Sequence, residues 1–133
     1  SLPLYLRQSA DDFPAAGHHY LQPDQARVEA FRRRIARPGK LVCGISWHSN
    51  RKQLGPHKSM QLRQLISVLG VAQHHFVTLQ YGDTRAERQA LVESEGIEIQ
   101  SLDDVDCFSD IDGLASLIEA CDVVITVSNS TAH

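Results

Sequence analysis

The sequence predicts an α/β protein in which a parallel β-sheet carries helices on both faces. Four short apolar segments alternate with segments whose apolar residues recur at helical spacing, and the connections between them are short. A strand buried on both faces is a continuous apolar run, which is typical of parallel sheets. Neighbouring parallel strands need crossover connections, and the alternation of strand and helix supplies them.

The size and the proline content of the chain predict one domain preceded by a lead-in. A chain of 133 residues has the size of a single domain with a sizeable core. Residues 1–23 lack a sustained hydrophobic period and include Pro3, Pro14 and Pro23. We therefore expect an extended lead-in over residues 1–23 and one folded domain over residues 24–133.

The first helix is predicted over residues 25–37. Asp24 is a residue type that caps the start of helices. Apolar residues then follow at helical spacing, namely Val28, Phe31 and Ile35. The pair Pro38-Gly39 ends the helix, because proline cannot continue it and glycine favours its end.

The first strand and the second helix follow in order. Residues 41–47 form a short apolar run rich in branched side chains and therefore predict a buried strand. A polar loop over residues 48–58 leads to a predicted helix over residues 59–70, which Gly70 ends. The apolar face of this helix is predicted to comprise Met60, Leu62, Leu65, Ile66 and Leu69.

The same unit repeats towards the end of the chain. The predicted elements are a strand at 74–80, a loop and helix at 81–96, a strand at 97–102, a helix at 111–120 and a strand at 122–127. The chain stops at His133, where a helix is expected to cover the last strand. We therefore expect an incomplete domain of a larger protein, or a second copy of the chain over the open face.

Composition and charge argue against several classes of protein. Thirteen Lys and Arg against sixteen Asp and Glu leave a net charge of −3, so no overall positive field attracts nucleic acid or anionic lipid, and we expect no nucleic-acid partner. No apolar run approaches the roughly 20 residues that span a bilayer, and no signal peptide is visible. The cysteines Cys43, Cys107 and Cys121 fit neither a zinc pattern nor a disulfide framework. We therefore expect reduced thiols in a cytoplasmic protein, with Cys43 and Cys121 as small core residues.

Three polar segments follow predicted strands and hold the candidate binding residues. They are Trp47-His48-Ser49-Asn50 with Lys58 downstream, Gln80-Tyr81-Gly82-Asp83, and Ser128-Asn129-Ser130-Thr131-Ala132-His133. Ligands of open α/β sheets bind beyond the carboxyl ends of the strands, where these segments are expected to converge. A strand that leads into a helix start suits phosphate, because free N–H groups and the helix dipole favour an anion. Taken singly, the same residue types are also ordinary caps and turns.

Other motifs that carry chemistry are absent or weak. The sequence has no G-x-G-x-x-G and no G-x-x-x-x-G-K-S/T, which disfavours an ordinary dinucleotide fold and a P-loop nucleotidase. The histidine pairs at 18–19 and 74–75 lack the spacing that focuses ligands on one ion, so no metal site is predicted. The run Arg32-Arg33-Arg34 is interpreted as the solvated face of the first helix, with a phosphate or partner contact as the alternative.

Four stretches of the sequence resemble a known family. They are residues 20–35, V-C-G-I-S-W-H-S-N at 42–50, F-V-T-L-Q-Y-G-D at 76–83, and D-V-V-I-T-V-S-N-S-T-A-H at 122–133. Together they resemble the C-terminal domain of bacterial glycosyltransferases fused to tetratricopeptide repeats. Those proteins are similar to heptosyltransferases and, more distantly, to protein O-GlcNAc transferases. The resemblance covers the chain from about residue 18 onwards, and its specificity lies in the order and spacing of the stretches.

The resemblance implies the GT-B arrangement, in which two Rossmann-like domains face each other across a cleft. This chain would be most of the C-terminal domain, which binds the nucleotide-sugar donor. The implied donor-site residues are Ser49, Asn50, Lys58, Gln80, Tyr81, Ser128, Asn129, Ser130, Thr131 and His133. Lys58 would pair with the phosphates, residues 129–131 would approach the diphosphate, and Gln80 and Tyr81 would border the nucleotide pocket. Fixed donors of this kind stabilise a departing diphosphate without a metal or a cofactor.

The sequence departs from the family within the last stretch. Ser128 stands where the family has Asp, and Asn129 where it often has Thr, which leaves catalytic competence open. The resemblance assigns the general base to an N-terminal acceptor domain that this chain lacks, so no catalytic residue is named. We expect a donor-binding fragment, inactive by itself, whose partners are that acceptor domain and the helical repeats. The alternatives are a degenerate, non-catalytic interaction module and an unrelated doubly wound domain with a phosphate ligand.

Overall fold

The computed structural model describes residues 21–49 and 59–132, without the side chain of Ser130. Residues 1–20 of the expected lead-in lie outside this range, as do most of the loop predicted over 48–58 and the final residue. The described elements run in the order α1 Gln25–Ile35, β1 Leu41–Ser46, α2 Leu62–Leu69, β2 His74–Thr78, α3 Arg85–Glu95, β3 Ile99–Gln100, α4 Ile111–Glu119, β4 Val123–Thr126 and a short 3₁₀ helix Ser130–Ala132.

The four strands within the described residues form one parallel sheet in the order β3-β2-β1-β4. The central strand β1 pairs with β2 on one side, where Ile45 lies opposite Thr78. On its other side β1 pairs with β4, where Ile45 lies opposite Ile125. Residues 42–46 of β1 are buried, as its unbroken apolar sequence predicts. The strand β3 is much shorter than the predicted 97–102, since only Ile99 and Gln100 pair with β2.

Helices pack on both faces of the sheet, and each face has its own apolar cluster. One cluster joins α1 and α4 to the strands and contains Phe31, Ile35, Val42, Val77, Leu79, Leu102, Val105, Leu117 and Ala120. The other joins α2 and α3 to the opposite face and contains Cys43, Ile45, Trp47, Leu62, Leu65, Ile66, Phe76, Leu91 and Ile99. Alternate residues of β1 enter alternate clusters, because successive side chains of a strand point to opposite faces. The predicted α/β class with helices on both faces is therefore confirmed.

The helix ends follow local signals in the sequence. Asp24 caps α1, because its Oδ1 accepts hydrogen bonds from the amides of Ala26 at 2.8 Å and Arg27 at 3.3 Å. Gly96 ends α3 in the left-handed conformation, with φ of 66°. The predicted apolar face of α2 is wrong at Met60, which precedes the helix and is 41% exposed. Helix α2 starts only at Leu62, so Met60 cannot share its buried face.

The three cysteines are free, and burial suppresses their ionisation. Cys43 lies inside β1 with 0% exposure, in agreement with its interpretation as a small core residue. Burial raises the pKa of the Cys43 and Cys107 thiols to about 11 and that of Cys121 to about 12. Thiolate formation is therefore disfavoured at neutral pH, and these groups are poor nucleophiles or metal ligands.

Arginine–aspartate pairs connect α1 to the segments around α4 and β3. The pairs are Arg27 with Asp110 at 2.7 Å, Arg32 with Asp122 at 2.8 Å, and Arg34 with Asp104 at 2.7 Å. The interpretation of the arginine run 32–34 as a solvated face agrees with the exposure of Arg33 and Arg34, whereas Arg32 is half-buried. Arg32 and Arg34 nevertheless pair with carboxylates that are distant in the sequence. These pairs orient α1 over the apolar cluster that it shares with α4.

We expect this set of pairs to make the fold sensitive to acid. Hydrogen bonds from the arginines lower the pKa of Asp104, Asp110 and Asp122. A carboxylate with a lowered folded-state pKa stabilises the fold above its unfolded pKa of about 3.9, and the stabilisation is lost as the pH falls through the folded-state value. Urea denaturation at a series of pH values should therefore show the free energy of unfolding falling below about pH 4.

The matched test uses two neighbouring aspartates. Asp104→Asn should flatten the acid limb of this pH dependence, because the variant has one fewer carboxylate to protonate. Asp103→Asn should leave the limb nearly unchanged, since the exposed Asp103 is not one of the aspartates that pair with α1. Equal acid limbs in the wild type and Asp104→Asn would contradict the assignment.

Gly44 in the middle of β1 allows close packing on one face of the sheet. A Cβ at this position would lie 2.7 Å from Leu79 Cδ1 and 3.0 Å from Cys121 Sγ. Gly44→Ala should therefore destabilise the fold by about 1–3 kcal/mol through overpacking, measured by urea denaturation. The penalty should shrink in a Leu79→Ala background, where the nearer of the two contacts is removed and only that with Cys121 Sγ remains. A penalty of equal size in both backgrounds would rule out this contact as the cause.

Candidate functional site

The candidate site lies where the carboxyl ends of β2, β1 and β4 meet. The chain passes outwards from β1 to β2 and β3, then crosses back to place β4 on the other side of β1. In open α/β sheets, ligands bind in the crevice where the strand order reverses in this way. We call the segments that follow these strands, at 47–49, 79–81 and 127–131, the carboxyl edge.

The buried amide of Gln80 joins the end of β2 to the end of β1. Its Oε1 accepts hydrogen bonds from Ser46 Oγ at 2.9 Å and from the backbone amides of Trp47 and His48, both at 2.8 Å. Its Nε2 donates to the backbone oxygens of His48 at 3.4 Å and Tyr81 at 3.3 Å. Gln80 is 5% exposed, so these bonds also satisfy polar groups that are removed from water.

Asn129 joins the end of β4 to the same part of β1. Its Nδ2 donates to Ser46 Oγ at 2.7 Å and to the backbone oxygen of His48 at 3.0 Å. Its Oδ1 accepts from Thr126 Oγ1 at 2.9 Å and from the amide of Thr131 at 3.0 Å. Asn129 is 7% exposed, like Gln80. The hydrogen-bonding groups of both amides are therefore used inside the protein, where they fix three strand ends relative to one another.

The structure describes only some of the other residues that the sequence predicts for the site. Ser49 lies at the carboxyl edge and donates its amide proton to Ser59 Oγ at 3.1 Å. Ser128 is exposed. Tyr81 is half-buried, and the centroid of its ring lies 6.1 Å from the ring centroid of Phe108. Asn50, Lys58 and His133 lie outside the described residues, and so does the side chain of Ser130. Their expected places at the donor site remain predictions.

Thr131 has a side-chain hydroxyl that forms no hydrogen bond with any described residue. The residue is 8% exposed and belongs to the short 3₁₀ helix that follows β4. Its amide donates to Asn129, but its Oγ1 is buried and has no hydrogen-bond partner among the described residues. A buried hydroxyl without a partner costs free energy, so it is a group that a ligand or water would satisfy.

Glu87 belongs to the site although no motif in the sequence marks it. It lies in the first turn of α3, and its Oε2 accepts a hydrogen bond from Trp47 Nε1 at 2.9 Å and lies 3.0 Å from His48 Nε2. Its Oε1 accepts from the amide of Leu62 at 3.3 Å. The sequence feature that could have pointed to Glu87 is its position, since it is an acidic residue in the first turn of the helix that starts just after the second polar segment.

The charge of Asp83, in the second polar segment, is balanced locally. The Arg85 guanidinium hydrogen-bonds this carboxylate at 3.1 Å and lowers its pKa to about 2.

Among the described residues, no group of three or more His, Cys, Asp and Glu side chains could hold a metal ion. No helix in residues 21–49 and 59–132 is long and apolar enough to cross a membrane.

Fold and site together define an α/β domain with a candidate ligand-binding edge at the reversal of its strand order. The sequence matches no family profile and no solved structure. It is similar to Protein FlbA of Caulobacter vibrioides, with 34% identity over 136 residues. That similarity covers 96% of this chain and 22% of FlbA, so the chain spans about a fifth of its relative.

The role of Gln80 in the carboxyl edge is tested by Gln80→Leu. The variant removes the acceptor of three donors, two of which are the backbone amides of Trp47 and His48. It should lower the free energy of unfolding by about 2–4 kcal/mol, because unsatisfied buried donors are costly. Gln89→Leu on the exposed side of α3 is the control, with an expected change within about 0.5 kcal/mol. Similar urea midpoints for both variants would contradict this role.

Proposed function

We propose that this chain is the donor-binding part of a metal-independent glycosyltransferase. The nucleoside diphosphate of a nucleotide sugar would lie at the carboxyl edge, in the crevice between β1 and β4. The observation that carries the proposal is the buried network of Ser46, Gln80 and Asn129, which joins three strand ends at the reversal of strand order. The choice of glycosyl transfer among the reactions of diphosphates rests on the family resemblance.

The chemistry of the leaving group explains what this edge would contribute. Transfer of a sugar leaves a nucleoside diphosphate, so negative charge builds on the oxygens that depart. Hydrogen-bond donors held in place beforehand stabilise that charge without reorganising during the reaction. The buried Oγ1 of Thr131 supports the proposal as one such donor, because it lacks a partner among the described residues. Lys58 would add a full positive charge, by resemblance to the family.

The remaining parts of the reaction are proposed to lie in another domain. In the family that the chain resembles, the N-terminal domain binds the acceptor and supplies the general base. In our proposal, therefore, no residue of this chain takes the proton from the acceptor. We further propose a cytoplasmic location, since the three cysteines are free thiols.

Calorimetric titration with UDP, GDP, ADP and inorganic pyrophosphate tests the proposal. One of the nucleotides should bind saturably, and Lys58→Ala should weaken that binding roughly tenfold to a hundredfold, as expected for the loss of a charged hydrogen bond. The matched control is Lys40→Ala, because the exposed Lys40 precedes β1 at the opposite edge of the sheet. Equal loss of affinity in both variants would overturn the assignment of the site.

A non-catalytic interaction module is the second candidate. It is favoured by Ser128, which stands in place of the Asp of the resembling family. A folded chain that binds none of these nucleotides would support this candidate over the first. Analytical ultracentrifugation would then test self-association, the simplest interaction for such a module.

A further inference from the structure

We propose that Glu87 is a positioning residue for the carboxyl edge, acting on both ends of the connection between β1 and α2. This inference rests on the proposed function for its ligand, a diphosphate, and on the geometry of described residues for its mechanism. Glu87 does not itself face the ligand in this proposal. It holds the side chains of Trp47 and His48 and the start of α2, through one carboxylate on a helix that packs on the same face of the sheet as α2.

The first end of the connection is held by side-chain donors. Trp47 Nε1 donates to Glu87 Oε2 at 2.9 Å, and His48 Nε2 lies 3.0 Å from the same oxygen. Trp47 is fully buried, and among residues 21–49 and 59–132 the partner of its indole N–H is this carboxylate. The His48 backbone is also bound by Gln80 and Asn129, so Glu87 fixes a side chain whose backbone is part of the buried network.

The second end is held at the start of α2. The amide of Leu62, the first residue of α2, donates to Glu87 Oε1 at 3.3 Å. The N-cap residue Gln61 makes no capping hydrogen bond of its own, so Glu87 supplies the acceptor that the helix start needs. A negative charge at this position also interacts favourably with the helix dipole.

Direct hydrogen bonds between the two ends complete the arrangement. The amide of Met60 donates to the backbone oxygen of Trp47 at 2.9 Å, and that of Ser49 donates to Ser59 Oγ at 3.1 Å. The start and the end of the connection are therefore adjacent, and Glu87 spans both. Displacement of its carboxylate would loosen the ends together rather than one at a time.

The donors around Glu87 require a carboxylate. An indole N–H and a backbone N–H can only donate, and a carboxylate offers two oxygens that only accept. Glu87→Gln keeps the size of the side chain but turns one acceptor into an NH₂ group, which would face a donor. The substitution is therefore a test of positioning that leaves the packing of α3 intact.

The experiment compares Glu87→Gln with Glu93→Gln, an exposed residue of the same helix. Affinity for UDP and for inorganic pyrophosphate is measured by calorimetry well below the melting temperature. Glu87→Gln should weaken both about tenfold, while Glu93→Gln leaves both unchanged. Trp47 is the single tryptophan of the chain, so its emission should change in Glu87→Gln alone and without ligand. Unchanged affinities in a folded Glu87→Gln variant would overturn the inference, because a purely structural role predicts that result.

A second measurement distinguishes failure of the proposed function from failure of the inference about Glu87. If the wild-type chain binds neither a nucleotide nor pyrophosphate, the donor-binding proposal fails, and amide hydrogen exchange decides the role of Glu87. Faster exchange at Leu62 and Met60 in Glu87→Gln than in Glu93→Gln would support Glu87 as the residue that holds the connection. Equal exchange in the two variants would overturn it.

Discussion

The hydroxyl of Ser46 is the interaction on which the candidate site depends. It donates to Gln80 and accepts from Asn129, so one buried oxygen links the ends of β2, β1 and β4. Hydrogen bonds are strong in an interior that excludes water, and losing one partner leaves the others unsatisfied. The three ends therefore behave as one unit. Groups that face outwards from the carboxyl edge take their positions from a network that is itself almost entirely buried.

The elements of the fold followed from local sequence wherever local and tertiary preferences agreed. The unbroken apolar run of β1 indicated a strand with both faces covered, and Asp24 and Gly96 marked helix ends by their side-chain and backbone chemistry. The apolar pattern at 97–102 suggested a longer strand than β3. Such a pattern indicates which residues are buried, but it does not indicate which residues pair with a neighbouring strand. Only two of those residues find a partner on β2, at the margin of the described sheet.

The candidate site was predictable in place but not in detail. Parallel strands bring their carboxyl ends to one side, so the convergence of the polar segments followed from the fold class. The inward direction of Gln80 and Asn129 could not be read from the sequence, since the same amides serve equally well as exposed ligand contacts. Glu87 was missed because its donors lie 25 to 40 positions away and meet it only through packing of α2 and α3.

The brevity of β3 has a consequence for the behaviour of the protein at high concentration. A strand at the rim of a sheet offers free backbone groups to any other chain, and long flat rims promote aggregation. In the described part of the sheet the rim strand β3 has two residues, and the side chain of Gln100 hydrogen-bonds His75 at 2.7 Å and Arg37 at 3.0 Å. This side of the molecule is therefore a poor template for adding a strand from a neighbour, and intermolecular sheet extension is disfavoured there.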